Sequence, residues 1–392
     1  MSNHLSQRVQ MVKPSPTLAV TARAAELQAA GHDIIGLGAG EPDFDTPDHI
    51  KQAAIKALAE GKTKYTPVSG TPELKKAIIN KFKQDNGLEF TPAQILVSSG
   101  GKQSFFNLIL ALINKDDEVI IPAPYWVSYP DIVTIAEGTP VIIETQLDNR
   151  FKVTAEQLEQ AITPKTRLIV LNSPSNPTGT AYTHDELKAL GNVLKRYPNI
   201  IIATDDMYEH ILWRDESFSN ILMACPELYN QTIVLNGVSK AYAMTGWRIG
   251  YAGGPEWLIK NMSKIQSQST SGACSIAQAA AAEALSGPQD CVKSMLQSFK
   301  KRHDYVVHRL KKLPGVIVVE SDGTFYTFPD FTNAMNRMGF NQDTDFAEMM
   351  LEKGIALVPG SAFGAPRHLR LSFATSDEAL KKALDRLEKA LL

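Results

Sequence analysis

Between residues 118 and 252 the chain repeats one pattern. A short run rich in Val, Ile and Leu is followed by a turn and then by a stretch of helical periodicity. The runs are 118–121, 140–144, 167–172, 200–204, 232–236 and 248–252. Most lack polar alternation, as strands covered on both faces do. Strands of that kind separated by helices predict an α/β domain with a mostly parallel sheet, because parallel neighbours need a crossover connection. The helical stretch 183–196 opens with Thr183-His-Asp-Glu186, a hydroxyl at the N-cap and a glutamate three residues on.

The flanks read differently. Residues 1–15 are polar and contain proline, like an arm rather than a core element. Residues 17–30 have the pattern of an amphipathic helix that stops at Gly31. Beyond residue 290 come a long charged helix at 292–313 and short strand candidates at 316–319, 324–329, 355–358 and 369–373. A last helix, 376–391, has Ser376 as N-cap with Asp377 and Glu378 in its first turn. The expected organisation is therefore an arm (1–15), a large central α/β domain (48–290), and a smaller α+β domain made from both ends (16–47 and 291–392).

The 40 basic and 42 acidic side chains nearly cancel, which argues against a nucleic-acid surface. Cys225, Cys274 and Cys291 are far apart, so neither a disulfide framework nor a thiolate zinc site is expected. No apolar leader opens the chain and no apolar run is long enough to span a bilayer. Walker A, HExxH and GxSxG motifs are absent, and the eight histidines are scattered. No metal site is expected.

The chemistry-bearing segments follow strand candidates, where open α/β sheets bind ligands. They are Ser99-Gly-Gly-Lys-Gln103, Asn172-Ser-Pro-Ser-Asn-Pro-Thr-Gly179, Asp205-Asp-Met-Tyr208, Ser239-Lys240 and Met244-Thr-Gly-Trp-Arg-Ile-Gly250. Singly, each has an ordinary reading. Asn176 lies in good turn chemistry, Asp205 could cap a helix, and Lys240 could be a solvated surface lysine. Arg248 opening an apolar strand is odder, because a buried guanidinium needs an anion. Together they describe one ligand. Gly100 and Gly101 at a helix start, with Ser239 and Arg248, suit a phosphate. Asp205 suits a pyridinium nitrogen, and Asn176 and Tyr208 suit a phenolic oxygen. Trp126 could cover the ring, and Lys240 could form a Schiff base with an aldehyde. That ligand is pyridoxal 5′-phosphate.

On these residues the chain resembles the class I aminotransferases of pyridoxal-phosphate fold type I. The resemblance runs over nearly the whole length. It is nearest to the bacterial subgroup Iβ of aspartate aminotransferases, some of which also act on prephenate. Segments that carry the subgroup likeness are Ala39-Gly-Glu-Pro-Asp-Phe-Asp-Thr-Pro47, Lys62-Thr-Lys-Tyr-Thr66, Gly100-Gly-Lys102 and Pro124-Tyr-Trp-Val-Ser-Tyr-Pro130. The resemblance implies a mostly parallel seven-stranded sheet between helices, with a smaller α+β domain. It implies that Lys240 carries the cofactor and moves the substrate proton, so its amine must titrate below the ordinary lysine range. Asp205 would keep the ring nitrogen protonated, while Asn176 and Tyr208 would bond the ring oxygen. Gly101, Lys102, Ser239 and Arg248 would line the phosphate end, with Tyr65 arriving from a second subunit of a homodimer. Arg370 would grip the substrate α-carboxylate through its planar fork, and Gly40 would let backbone approach the substrate.

Lys102, and secondarily Lys13, would meet a distal carboxylate, which favours a dicarboxylic donor. The implied reaction moves the amino group of aspartate to 2-oxoglutarate by a ping-pong route through pyridoxamine phosphate, in the cytoplasm. Prephenate, kynurenine or aromatic amino acids remain alternative substrates. A pyridoxal-phosphate C–S lyase and a ligand-sensing module of a transcription regulator are the alternatives from other classes. The family usually reads Asp-Glu-x-Tyr where this chain has Asp205-Asp206-Met-Tyr208. The spacing to Tyr208 favours Asp205 as the ring partner, and Asp206 leaves that open.

Overall fold

The branched-aliphatic runs pair as their composition predicts. A computed structural model describes residues 4–392, so the first three residues of the expected arm lie outside the described residues. In chain order the strands are β1 (Ile35–Gly36), β2 (Ile95–Ser98), β3 (Glu118–Ala123), β4 (Thr139–Glu144), β5 (Thr166–Asn172), β6 (Ile201–Asp205), β7 (Thr232–Gly237), β8 (Gly250–Gly253), β9 (Tyr326–Thr327), β10 (Ile355–Ala356), β11 (Val358–Pro359) and β12 (Leu369–Ser372). Seven of them form one sheet in the order β2-β8-β7-β6-β5-β3-β4. β8 runs antiparallel to both of its neighbours, and the remaining pairs are parallel. Helices cover both faces, so the inner strands bury Val119, Leu168, Ile169, Ile202 and Val234 completely.

The structure departs from the sequence reading in four places. β2 is absent from the expected runs, although Ile95–Ser98 is a fully buried, mostly apolar run of the same kind. The expected strand 248–252 starts at Gly250 instead, because Arg248 is held in the left-handed region at φ 58°. The expected strand 355–358 splits in two. Ile355–Ala356 pairs in parallel with β1, whereas Val358–Pro359 pairs antiparallel with β12. At 316–319 there is only a single bridge, Ile317 to Asp330, and Ile317 is exposed. Helices Thr332–Met338 and Asp343–Glu352 fill the interval after β9.

Both chain ends share one core. Ile35 and Leu37 pack with Phe299, Phe325, Phe331, Phe346 and Phe373. Full burial of such a ring contributes up to about 3 kcal/mol, so this aromatic cluster holds the two ends together strongly. The capping box of Thr183 and Glu186 forms as read and opens the helix His184–Leu194. Among the described residues no helix is long and apolar enough to cross a membrane.

Candidate active site

A cavity of about 280 Å³ opens at the carboxyl ends of β5 and β6. Gly40, Gly101, Lys102, Trp126, Asn176, Asp205, Tyr208, Ser239, Lys240, Arg248 and Arg370 all line it. The chain thus brings nearly all of its sequence-selected residues to one place, from segments up to 330 positions apart.

Lys240 lies in the turn that follows β7, directly after Val238 and Ser239, which are both buried. Its Nζ donates to the Gly40 carbonyl at 2.5 Å. Burial pulls the Lys240 ammonium down to about 8; Arg248 and Arg370 push the same way, against Glu41 and Asp205. A lysine in that state can hold or release a proton near neutrality.

Asp205 ends β6, in register with Asn172 on β5 and Leu235 on β7. Its Oδ2 accepts from the Tyr129 hydroxyl at 2.5 Å, and its Oδ1 accepts from the Met207 amide at 3.2 Å. Burial raises its carboxyl, while these two donors and Lys240 lower it. The neighbouring carboxylate turns the other way. Asp206 accepts from Thr204 Oγ1 and Asn220 Nδ2, both at 2.6 Å, and does not line the cavity. Burial, then Glu209, pushes its carboxyl up to about 7. Behind it Lys81 pairs with Glu209. Asp85, Glu209 and His210 bring potential metal-ligand atoms together, but the Lys81 ammonium already answers that charge.

At one end of the cavity the helix Gly101–Leu112 presents its N-terminus. Gly100 precedes it at φ 88°, and a Cβ there would run into the Arg248 guanidinium. Gly250 packs equally tightly on the Gly100–Gly101 backbone. Arg248 differs from its sequence reading. It is exposed, lies two residues before β8, and donates to the Thr245 carbonyl at 2.8 Å. Its place in the site therefore comes from the left-handed turn and not from burial in a strand.

At the other end Arg370, on β12, is 2% exposed. Its Nη1 donates to Asn176 Oδ1 at 2.9 Å and its Nη2 to the Gly38 carbonyl at 2.6 Å. Its Nε is buried without a partner among the described residues. Burial lowers its pKa, against the nearby Tyr326 and Tyr208. A buried guanidinium with an unused donor calls for an anion. Lys102 is exposed at the mouth, with Nζ 5.0 Å from the Trp126 ring centre. Partial burial of its amine, then Arg248, lowers its pKa.

Three selected residues do not line the cavity within the chain: Gly100, which sits just before Gly101, and two that stand further apart. Tyr65 is fully exposed. Lys13 is exposed too, and its backbone amide lies against the Asp131 carboxylate. Conversely, the cavity includes Ser15, Thr17, Met207 and Tyr326, which carry no signal in the sequence. Thr17 Oγ1 is buried without a partner among the described residues. Tyr129 belongs to the Pro124–Pro130 segment, but only the fold reveals its contact with Asp205.

The family model described as "Aminotransferase class I and II" matches residues 32–387. The chain is 59% identical to the "Aspartate/prephenate aminotransferase" of Nitrosomonas europaea over 394 residues, covering 99% of each chain. The solved aspartate aminotransferase of Rhizobium meliloti matches with a TM-score of 0.95 at 48% identity, over 99% of this chain and 98% of that one. That of Thermus thermophilus with maleate matches with a TM-score of 0.93 at 44% identity, over 98% and 99%.

Proposed function

The chain belongs to the class I and II aminotransferases, and we propose that it is a pyridoxal 5′-phosphate-dependent aminotransferase acting on aspartate or a similar dicarboxylic amino acid, with 2-oxoglutarate as acceptor. The observation that carries this reading is the convergence of Lys240, Asp205, Arg248 and Arg370 on one cavity. The donor set fits the cofactor: a helix N-terminus with Arg248 for a phosphate, an amine for an aldehyde, a carboxylate for a ring nitrogen. The unused Arg370 Nε supplies a further donor for a carboxylate.

When bound, pyridoxal 5′-phosphate supplies the sink for the electron pair left on the substrate α-carbon when its proton is removed. Lys240 would hold the cofactor through its amine, and the same amine, once freed by the substrate amino group, would accept and return that proton. Asp205 keeps a positive charge on the ring nitrogen, with Tyr129 holding the carboxylate in place. Asn176 and Tyr208 bond the ring oxygen, and Trp126 covers the ring. Gly100, Gly101, Ser239 and Arg248 bind the phosphate. Arg370 binds the α-carboxylate, while Lys102, and at the arm Lys13, meet the distal one. Gly40 leaves room for the substrate. Residues 48–290 hold the cofactor, and 16–47 with 291–392 bring Arg370 to it. We place the enzyme in the cytoplasm as a homodimer in which Tyr65 reaches the phosphate of the other subunit. Prephenate as amino acceptor is a second reading, supported by the name of the Nitrosomonas europaea relative.

Borohydride treatment of the yellow protein should fix the cofactor on Lys240, read by peptide mass. Attachment elsewhere, or normal turnover by Lys240→Ala, overturns the reading. A panel of amino donors against 2-oxoglutarate and prephenate then ranks the substrates.

A further inference from the structure

Tyr326 is completely buried at the wall of the cavity and touches three of its working parts. Its position follows from strand pairing. Tyr326 on β9 lies opposite Ser372 on β12, and Arg370 is two residues back on that strand. Residues so related are diagonal neighbours on one sheet face. The Arg370 guanidinium carbon accordingly lies 4.4 Å from the Tyr326 ring centre. The Tyr326 hydroxyl is 3.1 Å from the Tyr208 hydroxyl. It also faces Gly40, where a Cβ would come within 2.9 Å of it. The residue is anchored at both backbone groups: its amide donates to Thr324 Oγ1 at 3.1 Å and its carbonyl accepts from Ser321 Oγ at 2.8 Å.

We propose that Tyr326 is a positioning residue with two separable contacts: its ring fixes the Arg370 guanidinium for the substrate carboxylate, and its hydroxyl fixes Tyr208 for the cofactor ring oxygen. The proposal rests on the aminotransferase reading above. A cation on an aromatic face is attracted by the ring, most strongly when desolvated. Arg370 has only two hydrogen bonds to orient it among the described residues, so the ring is a further restraint. The hydroxyl contact restrains Tyr208, which is also faced by Arg370 from β12, by Asp205 from the end of β6 and by Tyr129 from the helix Ser128–Ile135.

The test compares Tyr326→Phe, which keeps the ring, with Tyr326→Leu and Tyr326→Met, which do not. The probes are maleate binding and the pH midpoint of the visible absorbance of the cofactor-loaded protein. Tyr326→Phe should leave the maleate Kd within about twofold and raise the midpoint by about half a pH unit, because the anionic ring oxygen loses support. The ring-less variants should share that rise and also weaken maleate about tenfold. An unshifted midpoint in Tyr326→Phe, or equal maleate losses in all variants, overturns the proposal. If the unaltered protein fails to turn yellow with the cofactor, it is the functional reading that fails. Circular dichroism identifies any variant that does not fold, and Tyr326→Phe, which removes one oxygen, remains as the decisive variant.

Discussion

Asp205 and Asp206 are adjacent in sequence and differ in everything around them. Asp205 faces the cavity with Tyr129 behind it, whereas Asp206 is closed in by Thr204 and Asn220. Asp205→Asn should therefore cut turnover about a hundredfold or more, by removing a charge aimed at the reacting system. Asp206→Asn should leave turnover within about twofold, an order-of-magnitude contrast measured with the same donor pair. The second variant also has a pH signature. The folded protein holds the Asp206 proton up to about 7, against an ordinary value of 3.8. Between those values the folded state binds more protons than the unfolded one, so this carboxyl's contribution to stability falls as pH rises. Urea unfolding across that window should show a flatter profile for Asp206→Asn than for the parent. The sequence puts two acids at the end of β6 and favours Asp205 by its spacing to Tyr208; what it leaves out is which way each side chain turns, and the fold points Asp205 at the cavity.

At the scale of elements, strand interiors of the central sheet other than β2 are legible in the sequence, and strand ends are not. Glu118–Ala123 and Thr232–Gly237 are runs of branched residues, and burial on both faces makes such runs conspicuous. Arg248 shows the opposite case: a left-handed residue cuts the strand two positions short, and no periodicity announces it. The start of the helix Gly101–Leu112 is readable from its glycines, and its need for them is steric. Gly100→Ala would put a side chain at φ 88° and drive it into Arg248. The expected outcome is cofactor affinity weakened about tenfold or more, since backbone strain and a displaced guanidinium both act at the phosphate end. Equilibrium titration of the apoprotein with pyridoxal 5′-phosphate measures it.

At the scale of the molecule, the proposed dimer makes a sharp prediction about mixtures. Tyr65 is fully exposed and apart from the cavity that Lys240 lines; in the proposed dimer the two residues would serve one site from different chains. Tyr65→Ala and Lys240→Ala variants should each be weakly active or inactive. Exchanged into mixed dimers, they should regain activity, because one site then has Lys240 of one chain and a tyrosine at position 65 from the other. Activity that stays at the sum of the separate variants would place Tyr65 outside the site. Long-range placement of this kind is available to sequence reasoning only through family likeness, since no local pattern reports what a second chain supplies.

The parallel pairing of β1 with β10 joins Ile35–Gly36 to Ile355–Ala356, and it has a consequence for how the chain reaches this state. Crossover units of the central sheet close over shorter separations and can form early, whereas a pairing across most of the chain carries a larger loop-closure cost and is expected later. The bond from Arg370 to the Gly38 carbonyl spans the same gap. On dilution from denaturant, far-ultraviolet ellipticity should recover before maleate binding does, so that the molecule acquires its sheet first and its grip on a carboxylate last.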